Sequence, residues 1–310
     1  MRDIAARIVP TPGCDPVAGR VRWDPVKSLW WSGLTALWLI GGTIWFSWGA
    51  VAVFLASCFL ILCGGHSIGM HRRLIHESFD CPPWLTVIGV WLGTLVGLGG
   101  PRTMIQTHDL RDWAQRQSDC HPYLRHGGAP AKDFWWQVHC SLTLDLPPGF
   151  QPSDLYSASC AMRWLQATAF LQQIPIALLL WIMGGPGFVA WAIGGRVSIS
   201  IFGHWAVGWV AHNHGHRDFH NEGHCTQGHN VRGFGLITFG EAYHNNHHAF
   251  PESARLGLFP NQPDPGWWVL MMLQRIGLVW NVVEARVEVG HSLKLCRTPP
   301  ATDVSIPRNG

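Results

Sequence analysis

A chain of 310 residues that is 47% apolar and only 13% charged has too little polar surface for an ordinary soluble domain of its size. Its 19 Trp against 3 Tyr suit a lipid–water interface, while a mean hydropathy of +0.10 keeps substantial polar mass outside any bilayer. A net charge of +3 is too small for nucleic-acid binding. The nine Cys form no CxxC and no regular framework, which points to reduced thiols facing a cytoplasmic compartment.

Residues 1–28 make a polar N-terminal segment with Arg2, Arg7, Arg20, Arg22 and Lys27, and lack the apolar core of a signal peptide. Ser28 to Met70 contains no Asp, Glu, Lys or Arg. At about 20 residues per crossing this predicts two spans, about 29–47 and 51–70, turning near Ser47-Trp48-Gly49-Ala50. Pro83 to Gly100 is uncharged, Gly-rich and marginal in length. If it crossed, His76 before it and His108 after it would face opposite sides of the membrane. A shared site therefore predicts an in-plane or re-entrant helix at about 83–100, not a span.

A polar, loop-rich segment follows, and then a second hairpin with arms at about 164–183 and 188–210, turning at Gly184-Gly185-Pro186-Gly187. Arg196 lies within its second arm and should face the bundle with partners, or mark a bend. Gln166, Gln172, Gln173 and Ser198 are available for hydrogen bonds on the protein-facing side. Every Lys and Arg except Arg196 falls on one side of this topology, which makes that side cytoplasmic, with both termini and the polar mass. Asp264-Pro265 predicts a helix through about Val283, lying on the membrane or packed on the polar domain. Residues 286–310 form a tail, disordered from Thr298. The expected fold is an all-α integral membrane protein of two helical hairpins with a cytoplasmic helical domain spanning 29–285.

Three histidine-bearing stretches carry the chemistry. In Glu241–Pro251, His244, His247 and His248 stand at i, i+3 and i+4, so three imidazoles can converge on one point. Neutral imidazole is a strong ligand for iron, zinc and copper. Glu241 could bind metal itself or orient a histidine from behind. His71 and His76 are five residues apart, about 140° on an ideal α-helix, so sharing a metal needs the helix to end or bend between them. His108 and Asp112 share a face at i and i+4, although Asp112 could instead pair with Arg111 or Arg116. His212, where the last span leaves the membrane, begins a run that continues through His214, His216, His220, His224 and His229.

Together, HRRLIH at 71–76, HDLRDWAQR at 108–116 and HNNHHAFP at 244–251 resemble the three histidine boxes of membrane fatty acid desaturases of the acyl-CoA (stearoyl-CoA) type. The resemblance runs in order over about residues 25–285, and His212 fits a further histidine that this family places after its last span. It implies a di-iron centre on the cytoplasmic side, a bent acyl tunnel, and metal ligands at His71, His76, His108, Asp112, His212, His244, His247 and His248. One departure stands out. The family's second box is HxxHH, but here its last two positions are Arg111 and Asp112, and arginine cannot bind metal. Gly208 stands where the family has asparagine. Either Asp112 with a neighbour such as His121, His214 or His216 rebuilds the second iron site, or that site is altered.

Removing hydrogen from an unactivated methylene needs a metal-bound oxidant made from dioxygen. Two electrons must come from outside, because the chain has no haem, flavin or iron–sulfur signature; a ferredoxin or cytochrome-type donor is expected. A long-chain acyl thioester is the expected substrate, with Arg72, Arg73 and Arg102 as candidate contacts to carrier phosphates or, equally, as solvated positive-inside charges. The competing readings are a di-iron lipid hydroxylase, a membrane zinc hydrolase, a metal transporter and a di-haem cytochrome. A zinc hydrolase needs about three ligands, a transporter needs ligands at mid-span, and a di-haem protein needs facing His pairs within spans. Only His66 and His204 approach that last pattern.

Overall fold

A computed structural model describes residues 7–285; Arg2 and the 286–310 tail lie outside the described residues. Two short antiparallel ribbons brace the polar side. Strand β1 (Ile8–Val9) and the longer β2 (Gly19–Trp23) come from the N-terminal segment. Helix α1 (Pro25–Ala36) begins at Asp24, whose Oδ1 accepts the Val26 and Lys27 N–H groups, with Pro25 in its first turn. It runs through a π-helical turn, Leu37–Gly41, into α2 (Gly42–Ile44). After the reversal Ser47 caps α3 (Trp48–Phe59), which passes directly into a π-helix, Leu60–Ile75.

Helix α4 (Pro83–Thr94) stops short of the expected Gly100 because Gly97 and Gly99 turn the chain at positive φ. It packs intimately on the π-helix. A Cβ on Gly69 would lie 2.3 Å from the Gly89 carbonyl carbon, so only glycine permits this approach. Next come α5 (Pro101–Gln115), α6 (Pro122–Arg125) and α7 (Pro130–His139), then β3 (Cys140–Leu144) and β4 (Gly149–Phe150). Strands β1 and β4 pair, as do β2 and β3, with Val21 opposite Leu142. The expectation of an all-α chain therefore needs correction: the fold is mostly helical, with two ribbons tying the N-terminal segment to the polar domain.

Helices α8 (Asp154–Ser157) and α9 (Cys160–Ala167) lead into a second long helical run. This run contains α10 (Gln173–Val189), a π-helical stretch Ala190–Gly195 and α11 (Arg196–Asn213), and non-helical Gly184 and Gly185 interrupt it. Among the described residues, two helices, Trp48–Ile75 and Phe170–Asn213, are long and apolar enough to cross a membrane. Arg196 is fully buried and faces the bundle. It donates to the Ala192 and Leu95 carbonyls and to Gln173 Oε1, the last at 2.6 Å. Backbone carbonyls and an amide thus satisfy this charge without an acidic partner.

A loop-rich stretch follows, then α12 (His244–Ala249) and α13 (Pro265–Arg275). Helix α13 begins at Asp264 and Pro265 as expected but ends at Arg275, with Gly277 at positive φ just beyond. Leu270 is buried in a cluster with Cys63, Ile68 and Phe79, whereas Trp268, Met272 and Ile276 are exposed. A second cluster of Met70, Leu74, Ile105, Met162 and Leu165 locks the π-helix to α5 and α9, beside the histidines.

Candidate metal centre

The π-helix sets the first histidine group. Its hydrogen bonds close over five residues, so residues five apart lie nearly above one another. The His76 N–H donates to the His71 carbonyl at 3.0 Å, and the helix ends there. The α-helical expectation that His71 and His76 point about 140° apart therefore gives way. Their Nε2 atoms face each other at 3.2 Å. His108 from α5 and His247 from α12 complete the group, with one ring nitrogen from each of the four within 4.8 Å of the others.

The second group contains His212, the C-terminal histidine of α11, with His244 and His248 of α12. Nε2 of His244 lies 3.1 Å from Nε2 of His212 and 3.0 Å from Nε2 of His248. The three histidines of the third box thus do not converge on one point. On a helix His247 and His248 point about 100° apart with His244 between them, so one turn serves two adjoining groups.

Helix α12 is too short to hold its own shape, and neighbouring side chains hold it. Asn230 Oδ1 accepts the N–H groups of both Asn245 and Asn246. Asn245, fully buried, accepts from the Asp218 and Phe219 N–H groups and donates to the Phe219 and Gly228 carbonyls. Asn246 donates to the Leu256 carbonyl and to Gln262 Oε1. The two asparagines between the histidines are anchors, a role their spacing did not reveal.

Glu241 takes the orienting position. Its carboxylate lies 2.8 Å from His71 Nδ1 and accepts from Ser67 Oγ at 2.6 Å, which leaves His71 Nε2 for the group. Burial raises this carboxyl, but His71, Arg72 and Ser67 outweigh it and hold the group well below the usual range. Arg7 adds a brace that sequence reading missed. It forms a bidentate pair with Asp109 at 2.6 and 3.0 Å and donates to the Ile75 carbonyl at 2.7 Å, so it joins the first two boxes.

Asp112 joins neither group as a close donor, although its charge is felt by His108 of the first and by His244 and His248 of the second. Burial pushes its carboxyl up, but His108, His248, Arg116 and His244 together hold it down to about 2. It also meets Arg116 at 3.4 Å, the i,i+4 pair that the sequence allowed. Arg111 points elsewhere, contacting His126 Nε2 and donating to Gln137 Oε1 at 2.8 Å. His126, not singled out from the sequence, is 2% exposed, sits at positive φ and stacks on His212 with ring centroids 5.6 Å apart. Its Nδ1 bonds Asp133 at 2.8 Å. A Cβ on Gly208 would lie 2.9 Å from His126 Nε2, so the glycine makes room for this ring.

The other candidates lie apart. His121 accepts the Tyr123 N–H, His214 packs against Trp209, and His216 pairs with Asp218 at 3.1 Å; none of them joins either group. Arg72 and Arg73, the candidate phosphate contacts, are both buried. Arg72 pairs with Asp264 at 2.9 Å, and Arg73 donates to Thr86 and to the Phe79 carbonyl. Arg102 alone of the three is exposed.

The donor set fits iron. Burial pushes His244 and His247 well below the usual imidazole range and His248 down to about 4, so these rings are neutral with lone pairs available at neutral pH. Burial lowers His108 as well, but Asp112 and Asp109 outweigh it and leave this ring above its usual range. Imidazole nitrogens with a nearby carboxylate are a nitrogen-rich set of the kind non-haem iron accepts.

No protein-family model matches the chain. It is 32% identical over 247 residues to the sn-2 palmitoyl-lipid 9-desaturase of Nostoc sp. (strain 36), covering 77% of this chain and 84% of that protein. It is 33% identical to the sn-1 stearoyl-lipid 9-desaturase of Anabaena variabilis, over 76% of this chain and 85% of the relative. Against the icosanoyl-CoA 5-desaturase of Limnanthes douglasii it is 30% identical, over 77% and 66%.

Proposed function

The chain belongs to the fatty acid desaturase family and is an oxidoreductase, and we propose that it inserts a double bond into a long-chain acyl substrate at a di-iron centre. His71, His76, His108 and His247 would hold one iron, and His212, His244 and His248 with Asp112 the other. The observation that carries this reading is the pair of adjoining imidazole groups that divide one helical turn between them. Bound iron would supply the oxidising power drawn from dioxygen and two external electrons. The protein's own part is to keep the imidazoles neutral and aimed, to present two adjacent carbons, and to exclude water.

An acyl chain reaches such a centre from the bilayer if Trp48–Ile75 and Phe170–Asn213 lie in it, with the histidine groups at its cytoplasmic face. The relatives are named for substrates of both kinds, lipid-esterified chains and acyl-CoA. Arg72 and Arg73 are committed within the fold, which leaves only Arg102 of the three candidate contacts to a nucleotide carrier's phosphates. A glycerolipid ester is therefore favoured over the thioester. The electron donor is a ferredoxin or cytochrome-type protein.

The test is gas chromatography–mass spectrometry of fatty acids from cells expressing the wild type beside His247→Ala. A new monounsaturated acid in the first and not in the second supports desaturation at this centre. A hydroxylated acid instead would replace the reading with a lipid hydroxylase.

A further inference from the structure

Earlier on the two helices that carry His71 and His212 lie two histidines that the reaction does not use. His66 sits on the π-helix five residues before His71, and so beneath it on the same side. His204 of α11 shares a stripe with Gly208 and His212 at i, i+4 and i+8. Their rings meet edge to face with centroids 5.2 Å apart. Eight residues of α-helix rise about 12 Å, so His204 lies roughly that far deeper than His212.

His66 Nδ1 is sealed from the surface and has no hydrogen-bond partner among the described residues. His204 is exposed, and its ring is the one set against that of His66. Buried polar groups are almost always bonded, and one set against hydrocarbon costs free energy. A path built for a plain acyl chain would therefore be poorer for having this pair.

Several bland occupants fit badly. Two imidazoles without a carboxylate do not complete a metal site, since Glu241 is committed to His71 and Ser67. Rings 5.2 Å apart leave no room for a haem between them. Water at this depth would stand beside the oxidising centre, which works by excluding it. A neutral imidazole offers one N–H donor and one bare nitrogen acceptor. Two such rings together match a hydroxyl, which both accepts and donates, or a ketone, which accepts from both.

Resting on the desaturase reading, we infer that His66 and His204 form a hydrogen-bonding seat for an oxygen function on the substrate's acyl chain. The seat lies deeper than the metal centre, so the oxygen sits on the methyl side of the carbons being oxidised. The preferred substrate is then an oxygenated acyl chain, not a plain hydrocarbon one.

The test feeds expressing cells equal amounts of stearic acid and of hydroxystearic acids whose hydroxyl is moved stepwise along the chain. Desaturated products are quantified by gas chromatography–mass spectrometry. For at least one hydroxyl position the wild type should favour the hydroxylated chain about tenfold or more, because a site built to bond a hydroxyl discriminates against its absence. The double variant His66→Leu, His204→Leu should lose at least about tenfold of that ratio while its stearate product rises. His204→Gln, which keeps a bonding group, should retain part of the preference. Should the double variant not accumulate in membranes, His204→Leu alone is read by the same ratio. A wild type that prefers stearate at every position, or a ratio unmoved in variants with normal membrane level and bound iron, overturns the inference and leaves the desaturase reading standing. No desaturated product from any acid overturns both.

Discussion

The two histidine groups share α12, yet they are built differently. The first has four imidazoles, an orienting carboxylate in Glu241, and a long-range brace in which Arg7 reaches Asp109, 102 residues away. The second has three imidazoles and, nearby, Asp112, whose carboxylate also serves Arg116. Where a further histidine would complete it, Arg111 turns away toward His126 and Gln137. The difference predicts unequal grips on two metals, with the first group holding more tightly.

The largest expected effect comes from cutting the brace. Arg7 and Asp109 are both largely shielded, and removing one partner of such a pair leaves the other charge buried, at a cost of about 3 kcal/mol or more. Arg7→Ala should lower the thermal midpoint of the purified protein by several degrees and loosen metal at the first group before the second. An unchanged midpoint would mean that the N-terminal segment contributes nothing to this group. Glu241→Gln keeps the shape but weakens the hold on His71, and metal affinity at the first group should fall about 10- to 100-fold by chelator competition. Equal losses at both groups would remove the distinction between them.

A smaller change is expected from Asp112→Asn, about tenfold weaker metal binding confined to the second group, read by the same competition. If the first group suffered instead, Asp112 would belong with His108. The smallest effect is Arg116→Ala. That side chain is substantially exposed, so loss of its pair with Asp112 should cost at most a few tenths of a kcal/mol in denaturant unfolding.

The candidate ligands were legible because they recur at short spacings within single elements: His244, His247 and His248 lie on one turn, and His108 and Asp112 on another. The turn at Gly184–Gly187 and the start of α13 at Asp264-Pro265 were legible for the same local reason. What stayed hidden depends on non-standard periods or distant partners. The five-residue spacing of His71 and His76 is read correctly only once the helix is known to be π-helical. His126 is recruited by Arg111 and Asp133, and Asn230 holds α12 across fifteen residues of loop, so neither carries a local signature. Arg72 and Arg73 looked like surface charges because Asp264 and Thr86, which bury them, follow at other points in the chain. The ribbon of Gly19–Trp23 with Cys140–Leu144 was equally non-local.

The most direct test of the central claim is the metal content of the purified full chain, by mass spectrometry, for the wild type, His71→Ala and His212→Ala. The account predicts two irons per wild-type chain. One iron should remain in His212→Ala and resist chelation, and any iron left in His71→Ala should be lost to mild chelator. Zinc in place of iron in metal-replete protein, or two irons retained in His212→Ala, would contradict it.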